Sequence, residues 1–161
     1  MVKRNSILLA LVLTTLVSCK KEAFYDSYQS VNGAWSKSDV KSFTVAQEDI
    51  LSGYNLFLNV RNNKEYAFSN LFVIVSVEQP NQTIWVDTLE YQMAKPDGTL
   101  LGTGFSDIKE NKLWVKENYV FPTKGEYTFK VEQVVREIGD VEGVESLKGI
   151  SEIGIQIEKT K

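Results

Sequence analysis

Leu71-Phe72-Val73-Ile74-Val75-Ser76-Val77 is a seven-residue run with one polar member. Seven residues are too few for a stable helix, and valine and isoleucine keep their preferred side-chain geometry on a pleated strand. The run therefore predicts a central strand, and its unbroken apolar character predicts burial on both faces. Upstream, residues 54–60 alternate: Tyr54, Leu56, Leu58 and Val60 share one face, and Asn55, Phe57 and Asn59 the other. Downstream, residues 83–91 set Ile84, Val86 and Thr88 against Trp85, Asp87, Leu89 and Tyr91. That strand ends at Lys95-Pro96-Asp97-Gly98, where proline pre-sets φ and glycine admits the positive φ of a turn.

Further along, Gly102 and Gly104 mark an irregular stretch, followed by expected short strands near residues 113–115 and 119–121. Residues 126–135 place Tyr127, Phe129, Val131 and Gln133 opposite Thr128, Lys130, Glu132 and Val134. The glycine-spaced acidic segment 139–149 reads as a loop or one helical turn, and Ile153, Ile155 and Ile157 form a last alternating strand. No segment sustains a helical period, so the fold class is all-β: an antiparallel β-sandwich of about eight or nine short strands.

The N-terminus has a different character. Lys3 and Arg4 precede the apolar segment 7–17, which is shorter than the ~20 residues a membrane span requires. Ser18 and then Cys19, the only cysteine, close it. The pattern resembles the bacterial lipobox, which implies cleavage between Ser18 and Cys19, a diacylglyceryl group on the Cys19 thiol and an acylated amino terminus. Each buried methylene contributes about 0.8 kcal/mol, so two or three acyl chains anchor durably where one does not. The expected organisation is a lipoprotein signal peptide at 1–18, a tether at 19–34 and a β-sandwich domain at 35–161. Phe24, Tyr25, Tyr28 and Trp35 fall around the tether without a clear period.

Cleavage would remove two of the 18 basic residues and none of the 21 acidic ones, leaving 16 minus 21, or −5. An acidic chain without a basic cluster has no grip on nucleic acid and none on anionic lipid, so membrane association falls to the acyl chains. With its one thiol acylated the body has no disulfide and relies on its core.

Catalytic signatures are missing from the sequence. Histidine is absent, which excludes histidine-dependent chemistry, and no phosphate loop, G-x-S-x-G elbow or zinc-ligand spacing occurs, so no cofactor or metal is expected. A carboxylate pair is all that glycoside hydrolysis needs, but Asp87 and Glu90, at an odd offset in a strand, face opposite ways. Candidate contact residues are Arg61 and Asn62, in a polar connection at 61–65 expected to join two strands, and Trp85 and Trp114, as anchors for a protein or a sugar. The plainer expectation is a hairpin loop for the first pair and core packing for the tryptophans. An alternative function, carbohydrate binding, requires two or more coplanar exposed rings among Trp85, Tyr91, Trp114 and Tyr119. No small-molecule ligand is indicated.

Several strings together resemble the GldH family of gliding motility lipoproteins. They are Tyr54-Asn55-Leu56-Phe57 leading to Arg61-Asn62, then Tyr66, Ser69-Asn70-Leu71-Phe72, Asp87-Thr88-Leu89-Glu90-Tyr91, Pro96-Asp97-Gly98 and Leu101-Gly102. Phe121-Pro122, Gly125, Tyr127, Phe129, Arg136, Gly149-Ile150 and Ile153-Gly154 continue the match, which covers nearly all of the mature chain. The resemblance implies a Bacteroidetes envelope lipoprotein needed for gliding over surfaces, with partners in the gliding machinery and its type IX secretion system, and no catalytic residues. In such bacteria an acidic cluster after the lipidated cysteine resembles a surface-export signal. Lys20-Lys21-Glu22-Ala23 lacks one, so the expected location is the periplasmic face of the outer membrane.

Overall fold

The computed structural model describes residues 23–104, 107–137, 139 and 141–160. Ten strands follow one another: β1 (Tyr25–Ser30), β2 (Ala34–Ser36), β3 (Lys41–Gln47), β4 (Gly53–Asn62), β5 (Asn70–Glu78), β6 (Ile84–Gln92), β7 (Lys109–Val120), β8 (Gly125–Gln133), β9 (Ser146–Lys148) and β10 (Ile150–Lys159). They form two four-stranded sheets, ordered β1-β10-β4-β7 and β3-β8-β5-β6, and a two-stranded ribbon of β2 and β9, with every pairing antiparallel. The expected all-β sandwich is the observed architecture.

The alternating residues meet between the sheets. Tyr54, Leu56, Leu58 and Val60 of β4 and Ile153, Ile155 and Ile157 of β10 face Leu71, Val73, Val75 and Val77 of β5 and Tyr127, Phe129 and Val131 of β8, all buried. Phe121 ties one end, with ring centroids 5.4 Å from Tyr54 and 4.8 Å from Tyr127, both edge-on. Such edge contacts add about 0.5 to 1.5 kcal/mol beyond the area they bury. The turn at Lys95 to Gly98 forms as expected: Gly98 has φ +82 and its N–H donates to the Lys95 carbonyl at 2.9 Å.

Several expectations need correction. β5 is central, between β8 and β6, but Phe72, Ile74 and Ser76 on its outer face are half-buried, because no strand or helix among the described residues covers the outside of this sheet. An apolar run does not reveal whether a second layer exists. The two short strands expected near residues 113 and 120 are one strand, β7, whose ladder to β4 shifts register between Tyr54 and Phe57. That irregularity breaks the alternation on which the sequence division rested. Among the described residues of segment 139–149 there is no helical turn; Ser146–Lys148 pairs with Ala34–Ser36 instead. Strand pairing also starts upstream of residue 35, because Tyr25–Ser30 lies along β10.

Candidate functional site

The core faces of β4 and β10 leave their odd and even partners, respectively, on the outside of the first sheet. Register there stacks three rows: Asp26, Gln156, Phe57 and Trp114; then Tyr28, Gly154, Asn59 and Lys112; then Ser30, Glu152, Arg61 and Glu110. Opposed residues of an antiparallel pair share a face, so these twelve positions form one surface.

Gly154 makes the middle row possible. A Cβ there would lie 2.8 Å from Cδ1 of Tyr28, so only glycine lets the tyrosine lie across β10 toward β4. Its hydroxyl donates to Glu110 Oε1 at 2.6 Å and accepts from Asn59 Nδ2 at 2.9 Å, and Asn59 Nδ2 also donates to Gln156 Oε1 at 2.9 Å. The Arg61 guanidinium stacks over the Tyr28 ring, 4.4 Å from its centroid, donates to Glu152 Oε2, and has Nε 3.6 Å from Glu110 Oε2. Lys112 sits over Phe57 at 4.0 Å and pairs with Glu158 at 2.7 Å. Asn59 is 1% exposed, and its Oδ1 is buried without a hydrogen-bond partner among the described residues. A groove of about 550 Å³ is lined by Asn59 together with Thr103, Glu110, Asn111, Lys112 and Gln156.

The electrostatics follow from this packing. Burial, and then the hydrogen bond to Glu110, raise the Tyr28 ionisation well above its ordinary value. The bond to Glu152 holds the Arg61 cation more firmly protonated. Burial raises Asp26, with the charge of Glu110 adding to it. Tyr66 and Tyr91 are likewise raised by burial. For an acid whose folded pKa is raised, the stabilisation is complete below the unfolded value near 10 and disappears as pH climbs toward the folded one. In an alkaline titration followed by phenolate absorbance, Tyr28, Tyr66 and Tyr91 are expected to ionise together with loss of the fold. Independent ionisation of all seven tyrosines at ordinary pH, with the fold intact, would contradict this placement.

Of the residues singled out from sequence, Arg61 belongs to this network. Trp114 lies on the same face, 51% exposed, over Phe57 with ring centroids 4.4 Å apart and a 48° tilt. Asn62 is not a surface residue: it is 0% exposed and accepts from Asn111 Nδ2 at 2.8 Å. Arg61 and Asn62 close β4 and are not part of a loop, since Glu110 and Glu152 on the flanking strands neutralise the arginine and let pairing continue. Trp85 is half-buried against the core, 6.3 Å from the Tyr119 ring, with Lys116 over it at 4.6 Å. Tyr91 is half-buried and donates to the Trp114 carbonyl at 2.6 Å. With Phe57 covered and tilted beneath Trp114, these rings do not form two coplanar exposed platforms. Ser18 and Cys19 lie outside the described residues.

Tyr28, Asn59, Glu110 and Glu152 escaped the sequence reading. The polar face of β4, with Asn55, Asn59 and Arg61, was the available signal, but its partners come from strands up to 97 residues away. Among the described residues no helix is long and apolar enough to cross a membrane, and no group of acidic residues stands ready to hold a metal.

The family model of the GldH lipoprotein matches residues 23–157. The gliding motility lipoprotein GldH of Flavobacterium johnsoniae is 49% identical over 156 residues, spanning 97% of this chain and 97% of that protein. The gliding motility lipoprotein GldH homolog of Christiangramia forsetii is 44% identical over 143 residues, spanning 89% of this chain and 88% of that protein. Among solved structures, a family GH115 4-O-methyl-alpha-glucuronidase aligns over 89% of this chain with a TM-score of 0.46 and 8% identity, this chain spanning 18% of that enzyme. With a family match running from Ala23 to Ile157 and two curated relatives aligned over nearly their whole lengths, this chain belongs to the GldH lipoprotein family.

Proposed function

We propose that this protein is a non-catalytic, lipid-anchored component of the gliding motility machinery, held at the periplasmic face of the outer membrane through acyl chains on Cys19. The observation that carries the proposal is 49% identity over 97% of the chain with a relative named for gliding motility. Its work is positional: the anchor confines the body to the bilayer and raises its effective concentration for neighbouring proteins. Those partners are proteins of the gliding apparatus and its type IX secretion system, and nucleic acid is not among them.

The contact surface is the outer face of the β1-β10-β4-β7 sheet, where Trp114 is exposed two rows along from the Arg61, Glu110 and Glu152 cluster. Arginine and tryptophan concentrate binding energy, and a charge network locked by its own hydrogen bonds presents a preorganised pattern. Glu110 and Glu152 are engaged with Tyr28 and Arg61, an arrangement suited to holding charge in place more than to moving protons.

Cys19→Ala is expected to give a folded chain that leaves the membrane fraction, with cells that no longer spread by gliding, and a photo-crosslinker replacing Trp114 is expected to capture envelope proteins of that machinery. Unchanged membrane fractionation of the Cys19 variant would reject the anchor. Normal spreading by cells that lack the anchored form would reject the role.

A further inference from the structure

One end of the sandwich collects the start of the described chain together with the β3-β4, β5-β6 and β7-β8 turns. Phe24 is 43% exposed and packs on Tyr54 at 5.2 Å. Gly53 opens β4 opposite Val120, which is 46% exposed, and the Gly53 carbonyl accepts from the Thr160 N–H at 2.9 Å. Leu51, 89% exposed, stands at the tip of the turn between β3 and β4.

That turn is firmly built. Asp49 Oδ1 accepts from the backbone N–H groups of Leu51 and Ser52 at 3.0 and 3.1 Å, while Oδ2 accepts from Lys159 Nζ at 2.8 Å and from the Tyr54 hydroxyl at 3.2 Å. These bonds, the one from Lys159 first, hold the Asp49 carboxyl well below its usual range. A leucine displayed on an ordered turn, at the same end as an exposed phenylalanine and an exposed valine, gives that end an apolar tip with a fixed direction.

The chain itself points to the occupant. Only residues 20–23 separate Cys19 from Phe24, and five extended steps reach at most about 18 Å. At this end Lys159 lies on Asp49 and Lys124 within 3.9 Å of Glu48, so neither lysine is left to attract anionic headgroups strongly. Resting on the Cys19 anchor, we infer that Leu51, at the same end of the sandwich as Phe24 and Val120, inserts into the interfacial layer of the same bilayer that holds the acyl chains. The insertion sets the orientation of the body. Strands then run away from the membrane, and the Arg61, Glu110 and Glu152 cluster at the distal end of β4 faces outward toward partners.

The test uses mature lipidated protein, with its acyl chains confirmed by intact mass, reconstituted into phosphatidylcholine vesicles carrying a shallow doxyl quencher. Leu51→Cys is labelled with a small fluorophore. Val141→Cys is the control, since Val141 is 81% exposed on the loop that joins β8 and β9 at the opposite end. Quenching at position 51 is expected to exceed that at 141 by about threefold or more, and to persist in ~0.5 M salt because apolar burial drives it. A label at Lys124→Cys, with Leu51 intact, should lose about as much quenching when Leu51→Asp is added.

Protein that floats with the vesicles while position 51 stays unquenched overturns the insertion and leaves the anchor standing. Mature protein whose intact mass shows no acyl chain, or acylated protein that fails to float, overturns the anchor, and the insertion with it.

Discussion

Gly149→Ala is expected to cost the fold about 3 kcal/mol or more, read as a fall in the urea or thermal midpoint. Gly149 joins β9 to β10 with φ +81, a conformation that alone costs a residue bearing a Cβ roughly 1 kcal/mol or more. Its Cβ would also lie 2.2 Å from the Tyr66 nitrogen and 2.7 Å from the Glu65 carbonyl carbon, both backbone atoms that cannot swing aside. The 63–66 turn would have to shift, and it is tied down by the Asn63 N–H donating to the Gly149 carbonyl at 2.8 Å and by the Tyr66 N–H donating to the Asn63 carbonyl at 3.0 Å. Gly98→Ala isolates the backbone contribution, since φ is +82 there but nothing lies within 4 Å of the added carbon. Its expected cost is about 1 kcal/mol. Equal losses in the two variants would show that close packing at Gly149 is not what demands glycine.

Trp35→Ala is expected to cost about 3 to 5 kcal/mol, enough to lower the melting temperature by ~10 °C in a body of this size. Trp35 is 0% exposed and, with Leu147 opposite it across the β2-β9 ribbon, belongs to the central core cluster. Its indole Nε1 donates to the Asp39 carbonyl at 2.8 Å, which fixes the turn leading into β3. Removing the ring leaves a cavity and also strands the Asp39 carbonyl, so Trp35→Phe, which keeps most of the volume, separates the two contributions. The phenylalanine variant should recover most of the loss and retain a deficit of about 1 kcal/mol from the missing donor. An alanine variant with an unchanged midpoint would mean that the ribbon does not close the core.

How much of this was legible beforehand differs from element to element. Ile153, Ile155 and Ile157, or Tyr127, Phe129 and Val131, alternate so cleanly that strand and inward face follow together, and both are buried as expected. Tyr25–Ser30 was opaque because it is an edge strand with half-exposed residues on both faces, which leaves no apolar period to see. Trp35 gave no local sign of its role, since its ribbon partner lies at Ser146–Lys148. Arg61 and Trp114 could be marked by residue type. That they share a face with Tyr28 and Glu152 required the register of four strands.

Composition and local order alone determined that this is an all-β body, that a short apolar segment ending in the one cysteine precedes it in the sequence, and that histidine chemistry is excluded, and they carried the family resemblance. Side-chain period and turn residues are properties of neighbouring positions, so they survive in a one-dimensional string. Tertiary structure alone decided which polar residues meet, why Asn62 is buried while Arg61 is presented, and that Leu51 and Phe24 stand at one end. Those facts depend on pairings between strands remote in the chain, where a shift of one residue would turn every side chain to the opposite face.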